Sequence, residues 1–136
     1  MILDIENLHS HYGKSHVLQG VSLQVGDGEL VTLLGRNGAG KTTTLKSICG
    51  VVPPTQGRIR FSGQDVQGLA PHTVAQRGVC LVPEHRGVFK LLTVEENLLL
   101  GQRKHSPWQL DDIYRIFPRL KERRGNGGGQ LSGGEQ

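Results

Sequence analysis

The stretch from Glu29 to Thr43 reads ELVTLLGRNGAGKTT, and it decides the fold class. Its first part, Leu30 to Leu34, is almost continuously apolar, which predicts a strand buried on both faces of a sheet. Its last part opens a helix that is predicted to run from Lys41 to Cys49, with Gly50 as its C-terminal cap. A buried strand joined to a helix by a glycine-rich turn predicts an α/β protein.

The turn between that strand and that helix, GRNGAGKT, fits the pattern G-x-x-x-x-G-K-[ST]. Gly35, Gly38 and Gly40 are predicted to permit backbone conformations that point main-chain amides at a polyphosphate. Lys41 is predicted to reach the β and γ phosphates, and Thr42 to give its hydroxyl to Mg²⁺. Thr43 is predicted to donate to the α phosphate. Kinases, GTPases, helicases and transport ATPases all remain open at this point.

The rest of the chain has strand patterns first and helix patterns later. Strands are predicted at Ile2–Leu8, Val21–Val25, Arg58–Ser62 and Val79–Val82, and a short helical segment at Pro71–Arg77. Thr93 and Glu96 have the spacing of a capping box, so a helix is expected to follow them. A second helix is predicted to start near Ser106-Pro107, with Leu110, Ile113, Tyr114 and Phe117 on a core face. Gly125 to Gly129 is expected to be flexible.

Composition excludes several classes of protein. The chain has 136 residues, of which 35% are apolar, enough for one modest core. No apolar run is long enough to span a membrane, and the N-terminus lacks the order of a signal peptide, which predicts a cytosolic protein. Two residue types that often carry chemistry are assigned none here. Cys49 and Cys80 are interpreted as small hydrophobic residues. The six histidines, His9, His11, His16, His72, His85 and His105, are interpreted as isolated surface residues.

The C-terminal segment reads LSGGEQ and resembles the signature sequence of the ABC ATPases. The glycine-rich turn Gly35–Thr42, termed the P-loop, and the pair Tyr12-Gly13 occur in that family's order, so the resemblance covers essentially the whole chain. It implies a P-loop NTPase with a RecA-like core, an N-terminal antiparallel β subdomain and a partial helical subdomain. The implied limits are 1–88 for the β subdomain with the core and 89–136 for the helical subdomain, in a chain truncated before Walker B.

The same resemblance assigns the residues of an ATP site. Tyr12 is expected to stack on adenine, while Thr42 and Glu84 are expected to hold Mg²⁺. Glu84 stands where most family members have Gln. The implied P-loop contacts to ATP are Gly35, Arg36, Asn37, Gly38, Ala39, Gly40, Lys41, Thr42 and Thr43. The signature residues Leu131, Ser132, Gly133, Gly134, Glu135 and Gln136 are implied to contact ATP held by a second subunit in a head-to-tail dimer.

Two further segments resemble one branch of the family. Leu81–Glu84 (LVPE) and Leu92–Leu98 (LTVEENL) are similar to ATPases that power import of branched-chain amino acids, although a related branch that imports urea and short amides stays open. The implied protein is peripheral at the inner face of the plasma membrane, where ATP-driven dimer closure acts on membrane permease subunits.

Two alternatives remain open beside the importer. A soluble ABC ATPase acting on nucleic acid or in translation would use the basic residues Arg119, Lys121, Arg123 and Arg124, but a solvated helix end explains them better and no nucleic acid is expected. The other alternative is an inactive ATP-binding remnant.

The family also implies segments that this sequence lacks. An apolar strand ending in Asp-Glu and a switch histidine would follow the signature, and neither is found, so no catalytic residue is assigned. We therefore expect negligible ATP hydrolysis by this chain alone. We also expect the segment Leu30 to Leu34 to lack its sheet neighbours and to expose apolar surface.

Overall fold

A computed structural model describes every residue from Met1 to Gln136 and divides the chain into two compact units. The first unit is Met1–Leu81 and the second is Val82–Gln136. The subdomain limits expected from the family resemblance, 1–88 and 89–136, remain a prediction.

The first unit is built on a four-stranded antiparallel sheet in the order β2-β1-β3-β4. The strands are β1 (Leu3–Tyr12), β2 (Ser15–Val25), β3 (Gln56–Phe61) and β4 (Gln64–Asp65). β1 and β2 form a hairpin around Gly13, whose φ of 56° suits the tight turn. The predicted strands at Ile2–Leu8, Val21–Val25 and Arg58–Ser62 all overlap these elements, and only Ile2 and Ser62 lie outside them, by one residue each.

The core of the first unit lies between one face of this sheet and the helix that follows the glycine-rich turn. Ile5, Leu8, Leu18 and Ile59 lie on the buried face, where Ile48 packs against them. Ile5 and Leu8 share this face, although they are three residues apart, because β1 has a register shift between them. Ile48 belongs to α1 (Lys41–Ile48), and a second short helix, α2, spans Pro71–Gln76. Burial of these side chains fixes α1 against the sheet.

The end of α1 agrees with the sequence prediction. Gly50 follows the last turn with a φ of 73°, a left-handed conformation that costs glycine little. Its amide donates to the carbonyl of Ser47, and the amide of Val51 donates to the carbonyl of Lys46. This pair of hydrogen bonds is a Schellman motif, which satisfies carbonyl groups at the helix end.

Two predicted strands do not form. Leu30–Leu34 and Val79–Val82 run without regular secondary structure, and no strand pairs with either segment. Leu30 is 93% exposed and Leu34 is 89% exposed, as expected for an apolar run that lacks its sheet neighbours. A strand is stabilised by its neighbours' hydrogen bonds and side chains, so an apolar pattern without a neighbour does not produce one.

The second unit is helical. Its helices are α3 (Val94–Gly101), α4 (Leu110–Ile116) and α5 (Pro118–Glu122), followed by a 3-10 helix at Gly128–Gln130. The predicted capping box is present at the start of α3, since Thr93 and Glu96 each accept a hydrogen bond from the other's amide. None of the helices in either unit has both the length and the apolar character needed to cross a bilayer.

The predicted second helix begins later than the sequence suggested. α4 starts at Leu110 rather than near Ser106-Pro107, because Gln109 and Asp112 form the first hydrogen bonds of its capping turn. Of its predicted core face, Tyr114 is buried, whereas Phe117 is more than half exposed. The face is therefore only partly a core face in the described structure.

The glycine-rich stretch Gly125–Gly129 is not the flexible segment that its composition suggested. The carbonyl of Asn126 accepts from Val94 at 2.9 Å, and the amide of Gly128 donates to Leu92 at 2.8 Å. Thr93 and Gly127 also form an isolated β-bridge. These bonds hold the segment against the start of α3, because glycine lets the two backbones approach closely.

Candidate nucleotide-binding site

The turn between Leu34 and α1 has the conformation that its glycines predict. Gly38 has a φ of 84° and Gly40 a φ of 92°, both in the left-handed region. A Cβ atom on Gly40 would lie 2.8 Å from Cδ2 of Leu18, so a side chain would also collide with the sheet. Glycine is therefore favoured at position 40 for two independent reasons, the left-handed φ and the contact with Leu18.

Gly35 differs from the other two glycines. Its φ is not in the left-handed region, so the predicted need for conformational freedom does not apply there. A Cβ atom on Gly35 would instead lie 3.2 Å from the Cβ of Ala39, across the loop. Glycine at this position lets the two sides of the loop pack closely.

The start of α1 is free to bind an anion. Gly40 is the N-cap residue and supplies no side-chain hydrogen bond, and no acidic residue lies in the first turn. The first amide with a partner is that of Thr44, which donates to the carbonyl of Gly40 at 2.8 Å. The preceding amides of Lys41, Thr42 and Thr43 are unpaired, and the helix dipole adds a partial positive charge there.

Lys41 folds back over the loop. Its Nζ donates to the carbonyl of Gly35 at 2.7 Å and to that of Arg36 at 2.9 Å. The ammonium group thus lies against the main chain at the start of the loop. Neutral carbonyl oxygens offset only part of the positive charge of the Lys41 ammonium. A negatively charged phosphate oxygen would accept a stronger hydrogen bond from it.

The two threonines after Lys41 have different environments. Thr42 is exposed, which leaves its hydroxyl accessible to a metal ion or to solvent. Thr43 is buried, with 8% of its surface exposed. The predicted contacts of Thr42 with Mg²⁺ and of Thr43 with the α phosphate remain predictions.

Tyr12 lies at the end of β1, beside the hairpin turn, and is 48% exposed. Its strand partner is Ser15 at the start of β2. The other strand of the hairpin, β2, reaches the P-loop, since Val17 and Leu18 lie against Gly40. An exposed aromatic ring in the unit that holds the P-loop is compatible with the predicted stacking on adenine.

Glu84 lies in a turn of the second unit, whereas Thr42 belongs to the first unit. Its carboxylate is exposed and has no ion pair or hydrogen bond. Arg86, two residues further on, has a φ of 63°, an uncommon conformation for a residue with a side chain. The shared Mg²⁺ site predicted for Thr42 and Glu84 remains a prediction.

The signature segment, Leu131–Gln136, forms a tight turn. The carboxylate of Glu135 accepts from the amide of Ser132 at 2.8 Å, which is one half of a capping box. The amides of Glu135 and Gln136 both donate to the carbonyl of Ser132. Ser132, Gly133 and Gly134 are exposed, so their backbone is accessible.

Glu135 is held by positive partners as well as by the turn. Arg119 and Arg123 each approach its carboxylate at 3.3 Å. The hydrogen bond from the Ser132 amide and these two guanidinium groups hold the pKa of the Glu135 carboxyl below its usual range. The carboxylate therefore anchors the signature turn in its ionised form.

The basic segment is partly neutralised by its own acidic neighbours. Arg119 pairs with Glu122 as well as with Glu135, and Arg115 pairs with Asp112. Ion pairs of this kind are typical of a solvated helix surface. They support that interpretation over a nucleic-acid contact.

Sequence reasoning missed one cluster of side chains. His9, His11 and His16 were interpreted as isolated, but the β1–β2 hairpin brings their rings together. His9 and His11 are two residues apart on β1 and therefore lie on the same face of the sheet. His16 lies on β2, across the turn at Gly13. The signal that could have found the cluster is this i, i+2 spacing next to a glycine turn.

A profile for the family described as ABC transporter matches residues 18–136 of this chain. The chain is 42% identical over 139 residues to BraG, the high-affinity branched-chain amino acid transport ATP-binding protein of Pseudomonas aeruginosa; the match covers 99% of this chain and 60% of BraG. It is 42% identical over 142 residues to LptB, the lipopolysaccharide export system ATP-binding protein of Haemophilus influenzae, covering 99% of this chain and 58% of LptB.

Solved structures show the same relationship. The fold is similar to the ADP conformation of MJ1267, an ATP-binding cassette of an ABC transporter, with a TM-score of 0.77 and 28% identity. That likeness covers 98% of this chain and 60% of MJ1267. The chain thus spans about 60% of the length of these relatives.

Proposed function

The chain belongs to the ABC transporter family of ATP-binding proteins, and we propose that it is the N-terminal part of a subunit that binds Mg-ATP to energise transport. The observation that carries the proposal is the loop from Gly35 to Thr42. It combines unpaired amides at the start of α1 with a lysine ammonium 2.7 Å from a loop carbonyl. Both features suit a polyphosphate.

The binding chemistry follows from the exchange of partners at this loop. On nucleotide binding, Lys41 would leave the carbonyls of Gly35 and Arg36 for the β and γ phosphates, where the charge interaction is stronger. The free amides from Lys41 to Thr43 would donate to phosphate oxygens. The proposed adenine contact is Tyr12, whose exposed ring can cover the base.

Mg²⁺ would accompany ATP and neutralise part of the charge on its phosphates. The proposed protein groups that hold it are the hydroxyl of Thr42 and the carboxylate of Glu84. Both are hard oxygen donors, which is the ligand type that Mg²⁺ prefers, and both are exposed. The lack of any competing partner for Glu84 supports the assignment.

The signature segment would act on nucleotide held by a second subunit. Ser132, Gly133 and Gly134 present exposed backbone in a turn that Glu135 fixes. In the proposed head-to-tail dimer, this turn closes over the γ phosphate bound in the other subunit's P-loop. ATP would then drive closure of the dimer, and membrane permease subunits would respond to it at the inner face of the membrane.

The proposed cargo is a branched-chain amino acid or a similarly small polar solute. BraG, which is named for branched-chain amino acid transport, supports an importer of this kind. LptB, which is named for lipopolysaccharide export, has the same 42% identity to this chain. The proposal for the cargo therefore also depends on Leu81–Glu84 and Leu92–Leu98, the segments that resemble the branched-chain amino acid importers. Urea and short amides are the nearest alternative cargo.

The test is equilibrium dialysis of the 136-residue chain against Mg-ATP, with Lys41→Ala as the binding-site variant. We expect Lys41→Ala to weaken binding by about 10 to 100-fold, since a charge-assisted contact to phosphate is lost. Lys46→Ala is the matched control, because Lys46 lies on the same helix but in its last turn, away from the loop. Equal binding by the wild type and Lys41→Ala, or equal loss in Lys46→Ala, would contradict the proposal.

A further inference from the structure

Three imidazole rings lie together on the side of the β1–β2 hairpin that faces away from the core. His9 and His11 flank the buried Ser10 on β1, so both project to the opposite side of the sheet. His16, on β2, stacks on His11 with ring centroids 4.1 Å apart and an interplanar angle of 7°. The cluster lies outside the proposed nucleotide contacts.

His9 and His16 face each other through ring nitrogens. Nδ1 of His9 lies 2.9 Å from Nε2 of His16. On its other side, Nε2 of His9 lies 3.2 Å from Oδ1 of Asn7, an oxygen that can only accept a hydrogen bond. Nε2 of His9 therefore carries the proton, and the lone pair of its Nδ1 points towards His16.

The surrounding backbone is shaped for this arrangement. Asn7 has a φ of 47°, an uncommon conformation that occurs at a register shift in β1. Gly20 lies opposite it, and a Cβ atom there would be 3.0 Å from Oδ1 of Asn7 and 3.6 Å from Nε2 of His9. Glycine at position 20 thus leaves the space that the Asn7–His9 pair occupies.

His16 is oriented by a second chain of contacts. Thr55 donates its hydroxyl to the carbonyl of His9 at 3.3 Å, so its oxygen is available to accept from Nδ1 of His11 at 3.0 Å. His11 is thereby fixed, and its ring supports the parallel ring of His16. Outer partners of this kind are what orient the ligands of metal sites.

We infer that His9 and His16 chelate a divalent transition-metal ion, with Cu²⁺ or Ni²⁺ as the matching class. When the two rings turn so that both lone pairs aim at one ion and the nitrogens keep their separation of 2.9 Å, metal–nitrogen bonds of about 2.0 to 2.1 Å subtend about 90° at the metal. That angle belongs to the square-planar and tetragonal geometries of Cu²⁺ and Ni²⁺, whereas tetrahedral Zn²⁺ needs a wider separation.

Metal binding requires one internal proton shift. Without metal, Nε2 of His16 donates its proton to Nδ1 of His9. With metal, His16 adopts its other neutral tautomer, with the proton on Nδ1, and both rings turn so that the two lone pairs, which face each other across the hydrogen bond, converge on the ion. No group of three or more His, Cys, Asp or Glu side chains converges on a metal position, so solvent molecules complete the coordination.

The test is calorimetric titration of the untagged chain with CuCl₂ and NiCl₂, combined with electron paramagnetic resonance of the Cu²⁺ complex. We expect one bound ion per chain and hyperfine splitting from two imidazole nitrogens. His16→Gln should weaken binding more than about ten-fold, because loss of an outer-shell partner alone costs about 10 to 100-fold. Asn7→Gly, which keeps the backbone conformation, should weaken it by about ten-fold.

His72→Gln is the matched control, since His72 is an exposed histidine of the same unit outside the cluster. It should bind as the wild type does. His9→Gln provides a second ligand variant, and circular dichroism confirms the fold of each protein. Unchanged affinity in His16→Gln or His9→Gln, a single coordinating nitrogen, or equal loss in His72→Gln would overturn the proposal.

Discussion

Single residues decide whether the glycine-rich stretch of the second unit can pack. Gly128 is buried, and a Cβ atom there would lie 2.6 Å from Cγ1 of Val88 and 2.9 Å from the carbonyl oxygen of Phe89. A backbone oxygen cannot move aside as a flexible side chain can. The glycine at this position is therefore required by space rather than by a left-handed φ.

Replacing Gly128 by Ala is expected to lower the free energy of unfolding by about 1 to 3 kcal/mol, the usual cost of overpacking. Gly125→Ala is the matched control, because nothing lies within 4 Å of its Cβ position. It should change the free energy of unfolding by less than about 0.5 kcal/mol or raise it slightly. Urea unfolding of both variants measures the difference, and equal effects would show that Gly128 is not tightly packed.

At the scale of elements, the sequence predicted best what depends on local contacts. The capping box of Thr93 and Glu96 spans one helical turn, and α1 with its glycine cap at Gly50 is complete within a few residues. The stretch Gly125–Gly129 was predicted wrongly because its order comes from α3, some thirty residues earlier in the chain. The histidine cluster was missed because it exists only once β1 pairs with β2.

Two helices of the second unit are joined by a hydrogen bond whose strength depends on pH. The hydroxyl of Tyr114 on α4 donates to Glu95 on α3 at 2.8 Å, and the ring is buried. Burial, together with this hydrogen bond to a carboxylate, raises the pKa of Tyr114 to about 12. An unfolded tyrosine ionises near pH 10.

The folded state thus holds the Tyr114 proton more tightly than the unfolded state does. The contribution of the protonated Tyr114 hydroxyl to the free energy of unfolding is complete below about pH 10. It is lost as the pH rises through about 12. Tyr114→Phe has no hydroxyl to titrate. We expect the difference in the free energy of unfolding between wild type and Tyr114→Phe to shrink over this pH range in urea unfolding. A difference that stays constant from pH 8 to 12 would contradict the assignment.

At the scale of the whole molecule, sequence and structure diverge where an element needs a distant partner. The P-loop motif fixes a local path, so it predicted the left-handed backbone at Gly38 and Gly40, although Gly35 does not share it. The predicted phosphate contacts of Lys41 remain a prediction. The apolar runs Leu30–Leu34 and Val79–Val82 have the sequence pattern of buried strands. A segment with that pattern forms a strand only when neighbouring strands pair with it. Neither run has a neighbouring strand in the structure.

The unpaired run before the P-loop has a consequence for the behaviour of this polypeptide in solution. Leu30 and Leu34 are 93% and 89% exposed on a segment that pairs with no strand, and exposed apolar surface of this kind favours association. We expect the double variant Leu30→Lys/Leu34→Lys to bind less of a hydrophobic dye and to associate less on analytical ultracentrifugation. Stability should change by less than about 0.5 kcal/mol, because neither side chain packs against the core.

Leu91→Lys is the control for this variant, since Leu91 is fully exposed but lies outside any extended unpaired apolar run. Adding a charge there reduces apolar area without changing the segment before the P-loop, so dye binding and association should fall much less than in the double variant. Mg-ATP binding should persist in both proteins, because neither alters the loop from Gly35 to Thr42. Equal association of the double variant and the wild type would show that self-association does not begin at the segment Leu30–Leu34.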